Sequence, residues 1–482
     1  MSNALFSRRC GAEMTPLKPN NRQAPMKNRL NENGLSRELG WFSAATVVVA
    51  NMVGTGIFTT SGLIMKQLGD PVLLLWCWAA GGVFALCGAL CYGELGARFP
   101  NAGGEYVYLR EAFGKWAGFL SGWISLIVGF SAPIAASAMA FSTYLFTMMG
   151  IDGGSGAVWT ISSIRVFVLG WHNMVAIAVI LVFTFIHYHS LRYGARVQNA
   201  LTTFKVAIIL AFIVLAAGTG DGAQAASTAP TVWGNLFGGP FAVSLIFVTF
   251  AYSGWNAASY LGGEILHPRR NLPLSLIAGT LVVTALYMGL NAVFLRALTP
   301  EQMAGVVDVS AKAASALWGP ATGRWVAGAI ALGLLSVLSA MIMTGPRVYF
   351  AMARDGVFFQ VFGRLSRVHR TPAWSIFLQA GIGVLMVVTA SFETLLIYIG
   401  FTLSLSAAAT VAGLVWLRRR SSLTTTGYRT WGYPVTPLLF IAGNLWIVVF
   451  TLRSRMLPGV FGAATIGLGA LLYRFFRQRS RD

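Results

Sequence analysis

Two short stretches put glycine, serine and threonine inside segments that are otherwise hydrophobic. They are Asn51-Met-Val-Gly-Thr-Gly-Ile-Phe58 and Phe250-Ala-Tyr-Ser-Gly-Trp-Asn256. Inside a bilayer every backbone amide and carbonyl needs a partner, so a helix is interrupted only where the freed groups are buried in protein or line a cavity. Both stretches therefore predict a broken helix at a ligand site. The alternative is that Gly54 and Gly56 lie at a tight helix crossing, where small residues are common.

A broken helix offers two ends of opposite polarity. Amides at the start of its second half attract an anion, and carbonyls at the end of its first half attract a cation. An α-amino acid carries both charges, so we expect its carboxylate on the amides of Thr55 to Ile57. We expect its ammonium against carbonyls near Met52, Phe250 and Ser253. The predicted substrate-binding residues are Met52, Gly54, Thr55, Gly56, Ile57, Phe250, Ala251, Ser253 and Asn256.

Lys205 lies about two turns into another hydrophobic segment. A lysine within a membrane helix is costly and usually functional. We expect its ammonium to donate to carbonyls freed by the first break, in the place of a bound sodium ion. Transport would then be independent of sodium, with Lys205 as the coupling residue. The alternative is that the side chain extends to the membrane interface.

Several charged residues at the cytoplasmic ends of hydrophobic segments are candidates for a gate. Glu94 and Arg347 are the predicted gating residues, and Phe250 has a second predicted role as an aromatic lid over the ligand. The further candidates for this gate network are Glu105, Glu264 and Arg354. The alternatives are that the charges are solvated and fix the topology, and that Phe250 is ordinary packing.

The composition indicates which elements must position these residues. Of 482 residues, 56% are hydrophobic and 10% are charged, and the mean hydropathy is +0.67. So few charges cannot cover a soluble globule of this size. Twelve apolar segments approach the roughly 20 residues of a spanning helix. We therefore predict an all-α polytopic membrane protein with 12 transmembrane helices.

The two interrupted segments are spans one and six in this count. Interruptions in corresponding positions of two halves are the best sequence pointer to an inverted-repeat transporter with a site at mid-membrane. The predicted organisation is a disordered basic cytoplasmic tail (1–40), a first five-helix repeat (41–217), a second five-helix repeat (238–418) and helices 11 and 12 (434–476).

The formal net charge of +20 has a topological explanation. Most lysines and arginines lie in alternate loops and in the two termini, which is the distribution of the positive-inside rule. We therefore predict that both termini are cytoplasmic and that no single basic patch binds nucleic acid. The tail lacks the apolar core of a signal peptide. We expect the inner (cytoplasmic) membrane of a bacterium, with the lipid bilayer and an amino acid as partners.

The four cysteines are Cys10, Cys77, Cys87 and Cys91. Cys87 and Cys91 share a helical face and are interpreted as apolar packing residues, although a soft metal is the alternative. We predict no metal site and no cofactor.

Several motifs together resemble one known family. They are Gly54-Thr-Gly-Ile-Phe58, Tyr92-Gly-Glu-Leu-Gly96, Gly103-Gly-Glu-Tyr-Val-Tyr108, Ala195-Arg-Val-Gln198 with Lys205, Phe250-Ala-Tyr-Ser-Gly-Trp-Asn256 and Met352-Ala-Arg-Asp-Gly356. The chain resembles the amino acid/polyamine/organocation (APC) superfamily, and within it the L-type amino acid transporters and their bacterial relatives. The resemblance covers about spans one to ten.

The resemblance implies a LeuT-type fold of five plus five inverted repeats with two further helices. It also implies alternating-access transport of L-amino acids, often as sodium-independent exchange. Lys205 looks like the lysine that the family places at a former sodium position, Phe250 like its aromatic gate, and Asn256 like a polar residue near the site.

The chain departs from the family pattern at two points. Eukaryotic members join a heavy chain through a cysteine in the loop after span three, and residues 149–172 contain none, so we expect no disulfide-linked heavy chain. Members that carry cationic amino acids can have an acidic residue where this chain has Ser253, which favours neutral substrates.

Other functions compete with amino acid exchange. A proton-coupled symporter of amino acids or polyamines is the nearest alternative. An intramembrane enzyme would need paired catalytic groups, and the sequence has no His-Glu-x-x-His or Gly-x-Ser-x-Gly motif. An ion channel would normally repeat a filter around an axis.

Overall fold

The computed structural model describes residues 35–151, 157–161, 164–219, 238–306, 308–389, 392–420, 427–454 and 456–479. Its first eight helices are α1 Trp41–Met52, α2 Thr55–Leu68, α3 Pro71–Arg98, α4 Glu105–Phe113, α5 Lys115–Ile124, α6 Ala132–Met149, α7 Trp171–His189 and α8 Leu191–Gly218. A π-helical turn, Ser125–Ser131, joins α5 to α6.

The other ten α-helices of the described residues are α9 Gly239–Tyr252, α10 Pro268–Ala297, α11 Pro300–Met303, α12 Val309–Trp318, α13 Thr322–Thr344, α14 Pro346–Arg354, α15 Ala373–Thr389, α16 Phe392–Arg420, α17 Val435–Ser454 and α18 Met456–Arg479. They include long apolar elements and three short helices, α11, α12 and α14. Short 3-10 helices span Ala257–Tyr260 and Gln360–Gly363.

One short hairpin interrupts the helical pattern. Strands β1 Ala157–Ile161 and β2 Ile164–Leu169 pair antiparallel between α6 and α7. These strands are rich in β-branched and aromatic residues, which suit a strand more than the helices around them.

The prediction of a polytopic helical membrane protein is confirmed. Among the described residues, six helices are long and apolar enough to cross a bilayer, and counting the bent pair α1/α2 as one span gives seven. Four further apolar helices have 10 to 17 residues. This number of apolar helices requires a bilayer as the solvent.

The predicted interruptions in spans one and six are confirmed. Helix α1 ends at Met52, α2 begins at Thr55, and the two are bent by 41°. Helix α9 ends at Tyr252, and a series of turns with one 3-10 helix leads from there to α10. Gly254, in the first of these turns, has a φ of 98°, which side chains on other residues disfavour.

The predicted tail lies mostly outside the described residues, but its last part has a fixed place. Leu35 and Leu39 are buried. The amides of Glu38 and Leu39 both donate to the carbonyl of Glu264 at 2.9 Å, and the amide of Leu266 donates to that of Leu39 at 2.8 Å. Residues 35–40 therefore pack beside the segment before α10, and the expectation of a disordered tail does not extend to them, because their backbone groups are paired.

Candidate functional site

The two breaks lie against each other, and each contributes a glycine to the contact. A Cβ atom on Gly56 would lie 2.6 Å from the Cα atom of Ala251, in the last turn of α9. In the reverse direction, a Cβ atom on Gly254 would lie 2.7 Å from the Cβ atom of Asn51, in the last turn of α1. Real Cβ atoms do not approach so closely, so the two broken spans can meet only because both positions are glycine.

Gly54 offers a matched comparison with Gly56. A Cβ atom on Gly54 would meet only the Cγ2 atom of Val337 at 3.9 Å and the carbonyl oxygen of Met52 at 4.0 Å. We expect Gly56→Ala to separate the spans and reduce transport by about tenfold or more, since overpacking typically costs 1–3 kcal/mol. Gly54→Ala should retain most of the parental rate. Initial uptake rates in proteoliposomes, at equal reconstituted protein, measure both; equal effects would contradict the assigned contact.

The hydroxyl of Tyr287 on α10 lies within hydrogen-bond distance of both breaks. The hydroxyl oxygen lies 2.6 Å from the carbonyl oxygen of Met52 and 2.9 Å from that of Ala251. The hydroxyl has one proton, so it donates to one of these carbonyls at a time. One turn further on, Asn291 accepts a hydrogen bond of 2.7 Å from Ser61 of α2. Helix α10 therefore holds both halves of span one and the end of α9.

Sequence reasoning did not select Tyr287. The available signal was a pair of polar residues, Tyr287 and Asn291, one turn apart in an apolar span. Such a pair indicates a polar contact inside a helix bundle but not its partners.

Lys205 on α8 lies at the first break. Its Nζ atom donates to the carbonyl oxygens of Val53 at 2.7 Å and Ala50 at 3.2 Å. The side chain is 3% exposed, and its stem packs on Gly333 of α13, where an added Cβ would lie 3.1 Å from the Lys205 Cδ atom. The expected contact with the broken end of α1 is therefore present, and the interface-seeking alternative does not fit this burial.

A cavity of about 100 Å³ lies beside the break in span six. Three predicted substrate-binding residues, Phe250, Ser253 and Asn256, line it, together with Asn51 from the end of α1. The π-helical turn and helices α16 and α17 supply other walls, including Gly129, Phe130, Leu403, Ser404 and Asn444.

The π-helical turn between α5 and α6 has a local cause. The amide of Ala132 donates to the carbonyl of Ile127, five residues earlier, and the next residue, Pro133, has no amide to donate. The wider turn brings Gly129, Phe130 and Pro133 to the cavity wall.

The other predicted substrate-binding residues lie between the two spans and not on the cavity lining. Met52, Thr55, Ala251 and their neighbours Gly56 and Ile57 are buried, and Gly54 is half-buried. The carbonyl of Met52 accepts from the Gly54 amide at 2.8 Å as well as lying against Tyr287. A substrate ammonium at Met52 would therefore have to displace one of these partners. No side chain caps the start of helix α2. Its first amides, the expected position of the substrate carboxylate, are therefore not used by a capping side chain.

Comparison with known proteins identifies the family. Residues 39–466 match the model of the amino acid permease family. The chain belongs to this family. The serine/threonine exchanger SteT of Bacillus subtilis is 30% identical over 432 residues, covering 87% of this chain and 92% of that protein. The human large neutral amino acids transporter small subunit 2 is 28% identical over 456 residues, covering 91% and 80% of the two chains. The human Asc-type amino acid transporter 1 is 27% identical over 438 residues, covering 90% and 80%.

In this permease, Glu105 begins α4 and reaches the cavity wall. Gly103 and Gly104, with φ of 119° and 52°, make the turn before it. A Cβ atom on Gly104 would lie 2.5 Å from the Tyr260 ring, and the Gly103 amide donates to the Tyr260 carbonyl at 3.1 Å. The two glycines therefore bring α4 against span six. From the sequence, Gly103-Gly-Glu105 was part of a family motif and Glu105 was a gate candidate, and neither the turn nor the place of Glu105 at the cavity was predicted.

The gate candidates of the permease form separate contacts rather than the expected single network. Arg347 donates to both carboxylate oxygens of Glu264, at 2.9 and 3.0 Å, and both side chains are buried. Glu94 pairs instead with Arg418 of α16. Glu94 also accepts hydrogen bonds from the amide and hydroxyl of Thr430, at 2.8 and 2.7 Å. Within the described part of the chain, Arg354 forms neither of these pairs.

The permease carries its three spanning cysteines as buried free thiols. Within the described residues, no group of three His, Cys, Asp or Glu side chains could hold a metal ion.

Proposed function

We propose that this permease carries L-amino acids across the membrane by alternating access and performs no enzymatic chemistry. The observation that carries the proposal is the reciprocal contact of two broken spans, Gly56 on Ala251 and Gly254 on Asn51, beside a cavity. Opposed helix ends supply amides and carbonyls for a zwitterion. The names of the relatives, which include exchangers and transporters of amino acids, support the same activity.

The proposed architecture is the LeuT type with twelve spans. The repeats would be 41–217 and 238–418, with 434–476 as helices 11 and 12. The support is that the broken pair α1/α2 and the broken end of α9 fall in corresponding positions and contact each other. We propose that both termini lie in the cytoplasm, which the positive-inside bias supports, and that the membrane is a bacterial inner membrane.

Sodium-independent exchange is the proposed mode. The Lys205 ammonium donates hydrogen bonds to the carbonyl oxygens of Ala50 and Val53. A sodium ion bound at this break would need the same oxygens as ligands. The expected result is that uptake of labelled L-serine into proteoliposomes needs unlabelled L-serine inside and is unchanged when potassium replaces sodium. Uptake that requires sodium would contradict the role proposed for Lys205.

The second candidate is proton-coupled symport. The observation that favours it is the buried carboxyl of Glu105 at the cavity wall. Empty vesicles with an inward pH gradient decide between the modes, because a symporter accumulates substrate in them and an obligatory exchanger does not.

Neutral amino acids are the proposed substrates, because span six has Ser253 at the cavity and no acidic residue within Phe250-Ala-Tyr-Ser-Gly-Trp-Asn256. Competition by unlabelled L-serine, L-leucine and L-arginine tests this, and strong competition by arginine alone would contradict it. We further propose that the permease works without a disulfide-linked heavy chain, since residues 149–172 contain no cysteine.

The gating proposal concerns Phe250, Glu94 and Arg347. Phe250 is half-buried on the cavity wall, where its ring can cover a ligand. The buried Arg347–Glu264 pair and the Glu94–Arg418 pair each join segments distant in sequence. We propose that both pairs break and re-form as the permease changes conformation.

A further inference from the structure

Glu105 is a buried carboxylate that sodium-independent exchange, the proposed mode, does not use. Its side chain is 3% exposed. Its Oε1 atom accepts from the hydroxyl of Tyr92 at 2.7 Å and from the amide of Asn256 at 2.8 Å. Its Oε2 atom accepts from the hydroxyl of Ser406 at 2.7 Å.

The three donors lie on separate elements. Tyr92 belongs to α3, Asn256 lies in the break of span six, and Ser406 belongs to α16. The Oε1 atom of Glu105 therefore links α3 to span six, and its Oε2 atom links α16 to α4. Helix α16 also supplies Leu403, Ser404 and Ala407 to the cavity wall. A movement of α16 away from both α4 and span six breaks the contact between Ser406 and Glu105.

Glu105 differs from the other two buried glutamates because it has no ion pair with a cationic side chain among the described residues. Glu94 pairs with Arg418, and Glu264 pairs with Arg347. A buried carboxylate without a cation is costly, and each lost hydrogen bond raises that cost. If Ser406 departs, binding a proton is the direct way to remove the charge.

We propose that Glu105 is a proton-binding site at the wall of the substrate cavity, and that binding of a proton releases α16 from the break in span six. This inference rests on the proposed transport function. A neutral carboxyl accepts weaker hydrogen bonds than a carboxylate, so α16 separates at lower cost in the protonated form. The ligand of the site is the proton itself, delivered from the cavity.

The titratable groups that face Glu105 among the described residues are tyrosines, which leaves Glu105 as the carboxyl that can take up a proton. Tyrosines face it from three elements, Tyr92 on α3, Tyr108 on α4 and Tyr260 on the 3-10 helix, and free tyrosine ionises only near pH 10. Helix α16 presents the hydroxyls of Ser406 and Thr410. Glu105 begins α4, which lies between membrane spans. Burial raises the pKa of Glu105 above its ordinary value, and the three hydrogen bonds to its carboxylate partly offset this rise.

The test uses Glu105→Gln, which keeps the size of the side chain and one acceptor oxygen but cannot ionise. Infrared difference spectra of the reconstituted parental permease between about pH 5 and pH 8 should contain a protonated-carboxyl band that Glu105→Gln lacks. L-serine counterflow with equal pH on both sides should accelerate by about threefold or more toward pH 5 in the parental permease, and stay nearly constant in Glu105→Gln.

Two further variants make the test specific. Glu111→Gln changes an exposed glutamate on the same helix and should keep the parental spectrum and pH profile. Ser406→Ala removes the hydroxyl that holds α16 to Glu105, so counterflow should already be fast at pH 8 and should lose most of its pH dependence. The carboxyl band of Glu105 should appear at higher pH, because the ionised form has lost one donor. This variant also decides the question if Glu105→Gln does not fold.

The outcomes separate the two proposals. A parental pH profile in Glu105→Gln, a parental pH profile in Ser406→Ala, or the same carboxyl band in Glu105→Gln and the parental protein would overturn the role of Glu105. Failure of every amino acid to support counterflow would overturn the proposed function. The infrared measurement needs no substrate and therefore tests the proton site separately.

Discussion

Lys205→Ala should reduce exchange by at least about tenfold while leaving the permease folded. The substitution removes the donor to the carbonyls of Val53 and Ala50, which lie at the broken end of α1. Each buried carbonyl left without a partner costs about 1–3 kcal/mol, and 1.4 kcal/mol corresponds to tenfold in an equilibrium constant. The broken end of α1 would then rearrange or admit water, and the amides of α2 would lose their position relative to α9. L-serine counterflow at equal reconstituted protein measures the effect.

The matched control is Lys66→Ala, which removes an exposed lysine from the last turn of α2. We expect near-parental exchange from this variant, because removal of a solvent-exposed ammonium leaves no buried carbonyl without a hydrogen bond. A monodisperse gel-filtration profile for Lys205→Ala shows that its loss of exchange is not a loss of folding. Near-parental exchange by folded Lys205→Ala would refute the coupling role.

Arg347→Met should lower the stability of the permease by about 3–5 kcal/mol. The reason is that Glu264 is buried and receives both of its side-chain hydrogen bonds from Arg347. Removing one partner of a buried ion pair leaves an uncompensated charge, which costs more than the pair contributes. The thermal unfolding midpoint of the detergent-solubilised protein, followed by gel filtration, should fall by several degrees.

Two variants test separately whether the unpaired charge of Glu264 causes the loss of stability and whether the Arg347–Glu264 pair acts as a gate. Arg418→Met should be milder, because Arg418 is 20% exposed and Glu94 keeps two hydrogen bonds from Thr430. The double variant Arg347→Met with Glu264→Met should recover most of the stability, since it leaves no unpaired charge. If the pair acts as a gate, this stable double variant remains defective in exchange. Full exchange by the double variant would reduce the pair to a structural role.

The breaks were predictable because they depend on local chemistry. Glycine together with serine or threonine at corresponding positions of spans one and six indicates interruption of both spans. The position of Lys205 was predictable for a related reason, since a lysine in an apolar span needs carbonyl partners and the first break supplies them. The partners themselves, Ala50 and Val53, required coordinates.

The cavity wall could not be predicted in the same way. Phe250, Ser253 and Asn256 were selected and do line the cavity, but Gly129, Ser404 and Asn444 come from three other helices. Apolar spans all look alike in sequence, so hydropathy does not show which face of one helix meets which face of another. The expected gate network separated into two ion pairs for the same reason.

The sequence by itself determined that this chain lies in a bilayer and where its first and sixth spans break, because backbone groups and charges in hydrocarbon tolerate few solutions. Only the tertiary structure decided that Gly56 serves the contact with Ala251, that Tyr287 spans both breaks and that Glu105 holds three elements together. These are properties of side chains brought together across long stretches of chain, and no local pattern records them.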